Sequence, residues 1–311
     1  MAVLGIDTSN YTTSVALVLN DGTVIQKKRL LPVKEGERGI RQSDAVFHHT
    51  KAYSELVNEL FSEAGHSEKI TAVGASVTPT TEKGSYMPCF LVGEGFAKSL
   101  SSVLNVPFYS FSHQQGHIAA ALYSANKLEY MKKSFVAFHV SGGTTDAVLC
   151  EHSDSKPFKV TPLASSNDLK AGQAVDRIGV KMGLLFPCGK ELEKLALSSS
   201  KEYKNKIKLY DGNCSLSGLE NKCLKMLSDG ESKEDTSKFL LTYIADTICA
   251  MTENILEKYP GIPLVFAGGV MSNSIIKNII TSRFDASFAE PEFSCDNAAG
   301  VAILTFSEVN K

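Results

Sequence analysis

One pattern occurs twice in the chain and restricts its fold more than any other feature. Residues 3–19 (VLGIDTSNYTTSVALVL) predict a strand, a polar turn and a second strand, and residues 135–150 (FVAFHVSGGTTDAVLC) predict the same order. Each turn consists of small and polar residues, whose backbone N–H groups can hold a phosphate. The repeat therefore indicates two similar halves within one chain.

The predicted elements after each hairpin also follow a common order. A third strand comes next, at residues 23–30 and at residues 158–165, and an apolar strand followed by a helix comes later, at residues 70–77 and at residues 263–269. Residues 235–259 carry apolar side chains at three- and four-residue intervals, which predicts a long core helix. Strands mixed with helices in this way predict an α/β fold.

A duplicated α/β unit that begins with a hairpin is typical of the actin–sugar kinase–Hsp70 fold. That fold predicts two α/β lobes with a nucleotide in the cleft between them. We place the N-terminal lobe at residues 1–133 and the C-terminal lobe at residues 134–311. The alternative is a chance likeness of two short threonine-rich hairpins, which the repeated order of the later elements makes the weaker interpretation.

Composition excludes several classes of protein. The chain has 43% hydrophobic and 21% charged residues, as ordinary globular proteins have. No apolar run approaches the roughly 20 residues that span a bilayer, and the N-terminus lacks the basic region of a signal peptide. The seven cysteines are scattered and never form a C-x-x-C motif, which argues against a thiolate zinc site and a disulfide framework. We therefore predict a cytoplasmic protein with no membrane association.

A net charge of −2 gives no general attraction for nucleic acids, so a nucleic-acid partner would need a local basic patch. The best candidate is the lysine-rich stretch KEYKNKIK at residues 201–208. A solvated face of a helix or strand is the alternative interpretation of these lysines.

Two histidines in FSHQQGHIAAAL, residues 111–122, form an H-x-x-x-H pattern. On a helix His113 and His117 lie on one face, one turn apart, where both can bind one metal ion. The residue after the first histidine is Gln114, which cannot act as the base of a zinc protease, so that class is excluded. A purely structural histidine pair remains the alternative.

Three further segments carry candidate binding residues. Residues 266–278 (FAGGVMSNSIIKN) predict a strand, a pair of glycines and a helix that begins near Ser272 or Asn273, which is a site for an anion. Asp176 lies on a predicted helix within residues 171–189, where it binds ribose hydroxyls or is simply an exposed charge. Asp296 precedes a helix of small residues, in the position of an N-cap.

Seven motifs, in one order along nearly the whole chain, resemble the TsaD family, the tRNA threonylcarbamoyladenosine transferases. They are GIDTS, NVPFYSFSHQQGH, HVSGGTT, AGQAVDRIGVKMGLLFPCG, CSLSGLENK, FAGGVMSNSII and FSCDNAAGVAI. The resemblance implies transfer of the threonylcarbamoyl group from threonylcarbamoyl-AMP to the adenosine 3′ of the anticodon in tRNA. Implied partners are tRNA, a smaller paralogue and an ATPase subunit.

The resemblance also implies which residues bind. One divalent metal, iron or zinc, would be held by His113, His117 and Asp296. The nucleotide, threonylcarbamoyl-AMP or ATP or AMP, would be bound by residues of the second half: His139, Val140, Ser141, Gly142, Gly143, Asp176, Gly189, Gly268, Gly269 and Asn273.

Several positions depart from the family pattern. Tyr11 and Thr12 replace an acidic pair, Thr144 replaces a histidine, and Gln173 replaces a glutamate. These changes predict a divergent family member. A carbamoyltransferase for another acceptor and a non-catalytic scaffold remain the alternatives. His48 and His49 lie in an altered stretch, where they partly compensate for the lost acids or are exposed surface residues.

Overall fold

A computed structural model describes residues 1–9, 11–32, 40–65, 67–153, 157–294 and 298–311. The chain forms two compact units. The first unit comprises Met1–Leu128, Ser153–Phe158 and Cys295–Lys311, and the second unit comprises Glu129–His152 and Lys159–Ser294. The C-terminal helix thus belongs to the first unit, and the lobe boundary between residues 133 and 134 remains a prediction.

Ten strands and nine α-helices are found within the described residues. The strands are β1 (Ala2–Ser9), β2 (Thr12–Leu19), β3 (Val24–Leu30), β4 (Ile70–Thr78), β5 (Phe108–Ser112), β6 (Phe135–Val140), β7 (Thr145–His152), β8 (Phe158–Ser165), β9 (Leu264–Ala267) and β10 (Ala286–Phe288). The helices are α1 (Gln42–Glu63), α2 (Phe90–Leu104), α3 (His113–Ser124), α4 (Ala171–Lys181), α5 (Gly189–Ser198), α6 (Ser217–Ser228), α7 (Lys233–Lys258), α8 (Ser274–Thr281) and α9 (Ala299–Val309).

The two sheets have the same topology. The strand order is β3-β2-β1-β4-β5 in one sheet and β8-β7-β6-β9-β10 in the other. In each sheet the hairpin strands pair antiparallel, as β1 with β2 and β6 with β7, and the later strands pair parallel, as β1 with β4 and β6 with β9. The predicted duplication of a hairpin-first α/β unit is therefore confirmed.

The sheet of the first unit is covered by helices on both faces. Leu4 and Ile6 of β1 pack in one core with residues of α1 and α2. Gly5 points to the opposite face, where a Cβ atom would lie 2.4 Å from the backbone nitrogen of Ala302 in α9. Because neither face meets water, β1 is buried along its whole length and is apolar at most positions.

The long helix α7 lies in the core of the second unit. It spans Lys233–Lys258, close to the predicted range of residues 235–259. Its length and composition would allow it to cross a membrane, but 67% of its most apolar stretch is buried inside the protein. Ile244 and Ile248 are among its residues in the hydrophobic core of this unit. This burial accounts for its apolar character.

Two local predictions were wrong. The lysine-rich stretch at residues 201–208 forms neither a helix nor a strand. The N-cap of α9 is Ala298, so the helix begins later than the N-cap prediction for Asp296 requires. Asp296 itself lies outside the described residues.

Candidate functional site

The histidine motif begins helix α3, and a capping box determines where that helix starts. The Ser112 hydroxyl accepts a hydrogen bond from the backbone N–H of Gln115 at 3.2 Å. The Gln115 side-chain oxygen in turn accepts from the Ser112 N–H at 3.0 Å. This S-x-x-Q arrangement satisfies two N–H groups of the first turn. It makes His113 the first helical residue and places His117 one turn later.

The imidazoles of His113 and His117 lie side by side. Their ring centroids are 4.2 Å apart, and the planes meet at 72°. Nδ1 of His113 is 2.8 Å from Oδ2 of Asp7, a residue 106 positions earlier in the chain. An ionised carboxylate can only accept hydrogen bonds, so Nδ1 donates to Asp7, and in the neutral ring the lone pair is then on Nε2.

Asp7 is a buried carboxylate, and three donors hold it. It is only 1% exposed. Its Oδ1 accepts from the Ser9 backbone N–H at 2.9 Å, and its Oδ2 accepts from the Ser76 hydroxyl as well as from His113. Burial alone would raise the pKa of Asp7, but the attraction of His113 and these hydrogen bonds lower it below its usual value. Asp7 therefore stays ionised and orients the His113 ring.

The two histidines have the chemistry of a transition-metal site. Paired imidazoles with one ring oriented by a carboxylate are common where iron or zinc is bound. Within the part of the chain that the structure describes, no group of three His, Cys, Asp or Glu residues is arranged to hold a metal ion. The described donors thus fit two positions of the predicted site, and its third predicted ligand, Asp296, is not among the described residues.

Helix α9 approaches α3 very closely beside the histidines. A Cβ atom at Gly300 would lie 1.8 Å from the carbonyl oxygen of Gly116, which stands between His113 and His117. Only glycine permits this contact, because any other residue would place a side-chain atom inside the backbone of α3. The first turn of α9 is consequently packed against the helix that carries both histidines.

His49 is not exposed, so its interpretation as a surface residue was wrong. It is fully buried on α1, and its Nδ1 is 2.8 Å from the Thr13 hydroxyl on β2. Burial lowers the pKa of His49 to about 4, although the negative charge of Asp7 opposes this shift. His48, the neighbouring residue, is half-buried. His49 is consequently neutral near pH 7 and ties α1 to the first hairpin.

In the second unit, residues 141–144 form the tight turn of the second hairpin. The Ser141 hydroxyl accepts from the N–H groups of Gly143 and Thr144, each at 3.2 Å. Nδ1 of His139 is 3.1 Å from the hydroxyl of Thr144, the residue that replaces the family histidine. Added Cβ atoms at Gly142 and Gly143 would meet no atom within 4 Å. A ligand can therefore approach the backbone of this turn.

The paired glycines after β9 serve two different purposes. A Cβ atom at Gly268 would lie 2.3 Å from the carbonyl oxygen of Val140, and its φ of +102° is unfavourable for other residues. The Val140 carbonyl also accepts from the N–H of Val270 at 3.1 Å. A Cβ atom at Gly269 would meet nothing within 4 Å. Gly268 therefore lets the loop after β9 pack against the loop after β6, and Gly269 leaves open space beside both loops.

Helix α8 begins directly after Asn273, close to the predicted start, and the Asn273 side chain caps it. Its side-chain oxygen accepts from the N–H groups of Ile275 at 3.1 Å and Ile276 at 3.2 Å. Because that oxygen accepts hydrogen bonds from two N–H groups of the first helical turn, Asn273 stabilises the start of α8. This structural role is separate from its predicted role in binding the nucleotide.

Asp176 is half-buried on α4 and is connected to the start of α5. Its carboxylate accepts from the backbone N–H of Cys188 at 2.9 Å, directly before Gly189. Burial raises the pKa of Asp176, and this hydrogen bond partly opposes the effect. The structure thus brings Asp176 and Gly189 together at the junction of two helices.

The acid that orients His113, a predicted metal ligand, was not foreseen from the sequence. Asp7 and Ser76 were not predicted as site residues. A usable signal existed for Asp7, because a charged residue within the buried run VLGIDTS needs a partner to offset its burial. Asp146 was also missed: burial raises its pKa, and its carboxylate is 3.9 Å from the Lys170 ammonium near the second hairpin turn.

Comparison with known structures shows the fold. The chain superposes on HypF from T. kodakarensis with a TM-score of 0.63 at 12% identity, over 98% of this chain and 46% of HypF. It also superposes on an activator of 2-hydroxyisocaproyl-CoA dehydratase from Clostridium difficile, with a TM-score of 0.53 at 14% identity, over 100% of this chain and 96% of the activator. The fold is of the predicted actin–sugar kinase–Hsp70 type.

Comparison of the sequence with known proteins shows the family. The model of the family "tRNA N6-adenosine threonylcarbamoyltransferase" matches residues 24–303. A relative of that name from Streptococcus pneumoniae is 30% identical over 324 aligned residues, which cover 99% of this chain and 93% of the relative. The chain belongs to the TsaD family.

Proposed function

We propose that this protein transfers the threonylcarbamoyl group from threonylcarbamoyl-AMP to the adenosine 3′ of the anticodon in tRNA. Membership of the TsaD family supports a tRNA-modifying transferase. The observation that carries the proposal further is the histidine pair on α3, in which Asp7 orients His113 at 2.8 Å. Because the acceptor is tRNA, we place the reaction in the cytoplasm.

In this proposal the second unit binds the nucleotide portion of the substrate. The backbone from His139 to Gly143 would hold phosphate and carbonyl oxygens, since added atoms at Gly142 and Gly143 have open space. The loop from Gly268 to Asn273 would bind the rest of the nucleotide, since an added atom at Gly269 has open space. Asp176 and Gly189 would face the nucleoside.

The first unit would hold one divalent metal, iron or zinc, through His113, His117 and Asp296. The close contact of Gly300 with Gly116 supports Asp296 as the third ligand, because the start of α9 packs beside the histidines. Such a metal, when bound, supplies Lewis-acid polarisation of carbonyl or phosphoryl oxygens. AMP is a good leaving group, so the residues of the chain mainly position the reactants and stabilise charge.

Further subunits belong to the proposal. Since the resemblance implies a smaller paralogue and an ATPase subunit, the transfer is best assayed with those proteins added. Several family residues are replaced, including a histidine by Thr144, so the identity of the acceptor is the part of the proposal that most needs a test.

The test combines metal analysis with a transfer assay. We expect near-stoichiometric iron or zinc in the native protein, and its loss from His113→Ala and Asp296→Ala. Threonylcarbamoyl-adenosine should form in tRNA with the wild type and not with the two variants, as measured by mass spectrometry of digested tRNA. AMP release without modified tRNA would favour another acceptor. Absence of both metal and AMP release would favour a scaffold.

A further inference from the structure

The segment between α5 and α6 presents three lysines on one side of an extended chain. Residues 201–209 have no regular secondary structure, yet exposure alternates along them. The even positions from 204 are exposed, and the odd positions are half-buried. The exposed residues are Lys204, Lys206 and Lys208, and the half-buried residues are Tyr203, Asn205, Ile207 and Leu209. A period of two is that of an extended backbone, so Lys204, Lys206 and Lys208, here called the lysine row, share one side.

The half-buried residues fix this segment to the second unit. The Tyr203 ring makes an edge contact with Phe239 of α7, with centroids 5.3 Å apart. Asn205 donates from its backbone N–H and its side-chain amide to Oδ2 of Asp246, both at 3.1 Å. Leu209 packs against the core. The lysine row is thus carried by an anchored segment rather than by a loop without contacts.

The charges of the lysine row are not neutralised within the described part of the chain. Lys201, just before it, lies 2.6 Å from Glu231 and 3.0 Å from Asp235, whereas no ion pair of this kind involves the three row lysines. The nearest acidic residue on the same side of the segment by sequence is Glu202, which is exposed. Tyr210 follows the lysine row in sequence. Its side chain is 52% exposed, and the Lys208 ammonium is 5.1 Å from its ring centroid.

We propose that the lysine row binds the phosphate backbone of the RNA acceptor, an inference that rests on the proposed function. Alternate residues of an extended chain are roughly 6.5 Å apart, so three ammonium groups stand in a line and can contact successive phosphates. An exposed aromatic ring at the end of a basic stripe is typical of surfaces that bind single-stranded nucleic acid. The contact would be independent of base sequence, because ammonium groups here meet phosphates only.

The test is a charge-removal variant with a matched control. The row variant has Gln in place of Lys204, Lys206 and Lys208. The control variant has Gln in place of three exposed lysines of α6 and α7 in the same unit, Lys225, Lys233 and Lys258. Binding of a transcribed tRNA is measured by fluorescence anisotropy between 50 and 200 mM salt. We expect the row variant to bind roughly tenfold more weakly at low salt, with the slope of log K against log salt reduced by about 2, and the control to stay near wild type.

Several results would overturn the inference. An unchanged salt slope in the row variant, an equal loss in the control, or equally strong competition by poly-glutamate would each do so. Equal melting temperatures of both variants ensure that folding is not the cause. The transfer assay separates this inference from the proposed function. If the lysine row binds tRNA but no transfer occurs, only the inference about the lysine row stands. If transfer occurs and the row variant has an unchanged KM for tRNA, only the proposed function stands.

Discussion

At the scale of single residues, the orientation of His113 depends on Asp7. In Asp7→Asn the amide nitrogen must replace one carboxylate oxygen. It then either faces the donor N–H of Ser9 or donates to Nδ1 of His113, which moves the ring proton to Nε2. We expect 10- to 100-fold weaker binding of Zn²⁺ or Co²⁺, roughly the cost of losing an outer-shell partner. Competition with a chelator, followed by the Co²⁺ absorption spectrum, measures it.

The control for this prediction is Thr8→Val on the same strand. Thr8 is as buried as Asp7, but its hydroxyl contacts the Cys89 carbonyl and the Gly93 N–H instead of the histidine. We expect Thr8→Val to lower stability and to leave metal affinity unchanged. Equal metal affinities in wild type and Asp7→Asn would show that Asp7 does not position His113.

His49 makes stability depend on pH. Its pKa is about 4 in the folded protein and about 6.5 when unfolded. The free energy of unfolding is therefore not reduced by His49 well above pH 6.5, and it falls as the pH decreases from 6.5 towards 4. The unfolded state then binds a proton that the folded state excludes. We expect the free energy of unfolding to be about 2 kcal/mol lower at pH 5 than at pH 7.5 from this residue. Denaturant unfolding of wild type and His49→Gln measures it, and equal pH dependence in both would contradict it.

At the scale of secondary-structure elements, the contact between α3 and α9 depends on Gly300. Gly300→Ala places a methyl group against the Gly116 carbonyl, so the helices must separate. We expect a loss of about 3 kcal/mol of stability, the upper part of the range for overpacking, and weaker Zn²⁺ binding. In the matched change Gly116→Ala the nearest atoms to the added methyl group are a Val301 methyl group at 3.3 Å and the Val301 nitrogen at 3.8 Å, so it should cost less than about 1 kcal/mol. Similar losses in both variants, measured by thermal unfolding, would refute the prediction.

At the scale of the whole molecule, each unit has its own sheet and core, so a nucleotide should protect one unit selectively. We expect AMP to slow amide hydrogen exchange in peptides covering residues 141–145 and 268–276, and to leave α1 unchanged. Gly143→Asp should abolish this protection, because a carboxylate in the open space beside the turn repels phosphate. Mass spectrometry of exchange with and without AMP measures both. Protection confined to the first unit would contradict the assignment of the nucleotide residues.

Local pattern by itself determined much of this protein. Alternating strands and helices, the repeated hairpins and the spacing of His113 and His117 depend on neighbours in sequence, and the structure confirms the duplicated sheets, the core helix and the helix that carries both histidines. The cap at Asn273 was predictable for the same reason, since a cap acts within one turn.

Only the tertiary structure decided which distant residues meet. Asp7 and His113 are 106 positions apart, and they come together because β1 and the start of α3 pack in one unit. The same is true of buried His49 and Thr13, and of the C-terminal helix that joins the first sheet. Periodicity records which side of an element is apolar, but it does not record which elements share a core. Packing makes that choice, and it determines which polar groups are buried against each other.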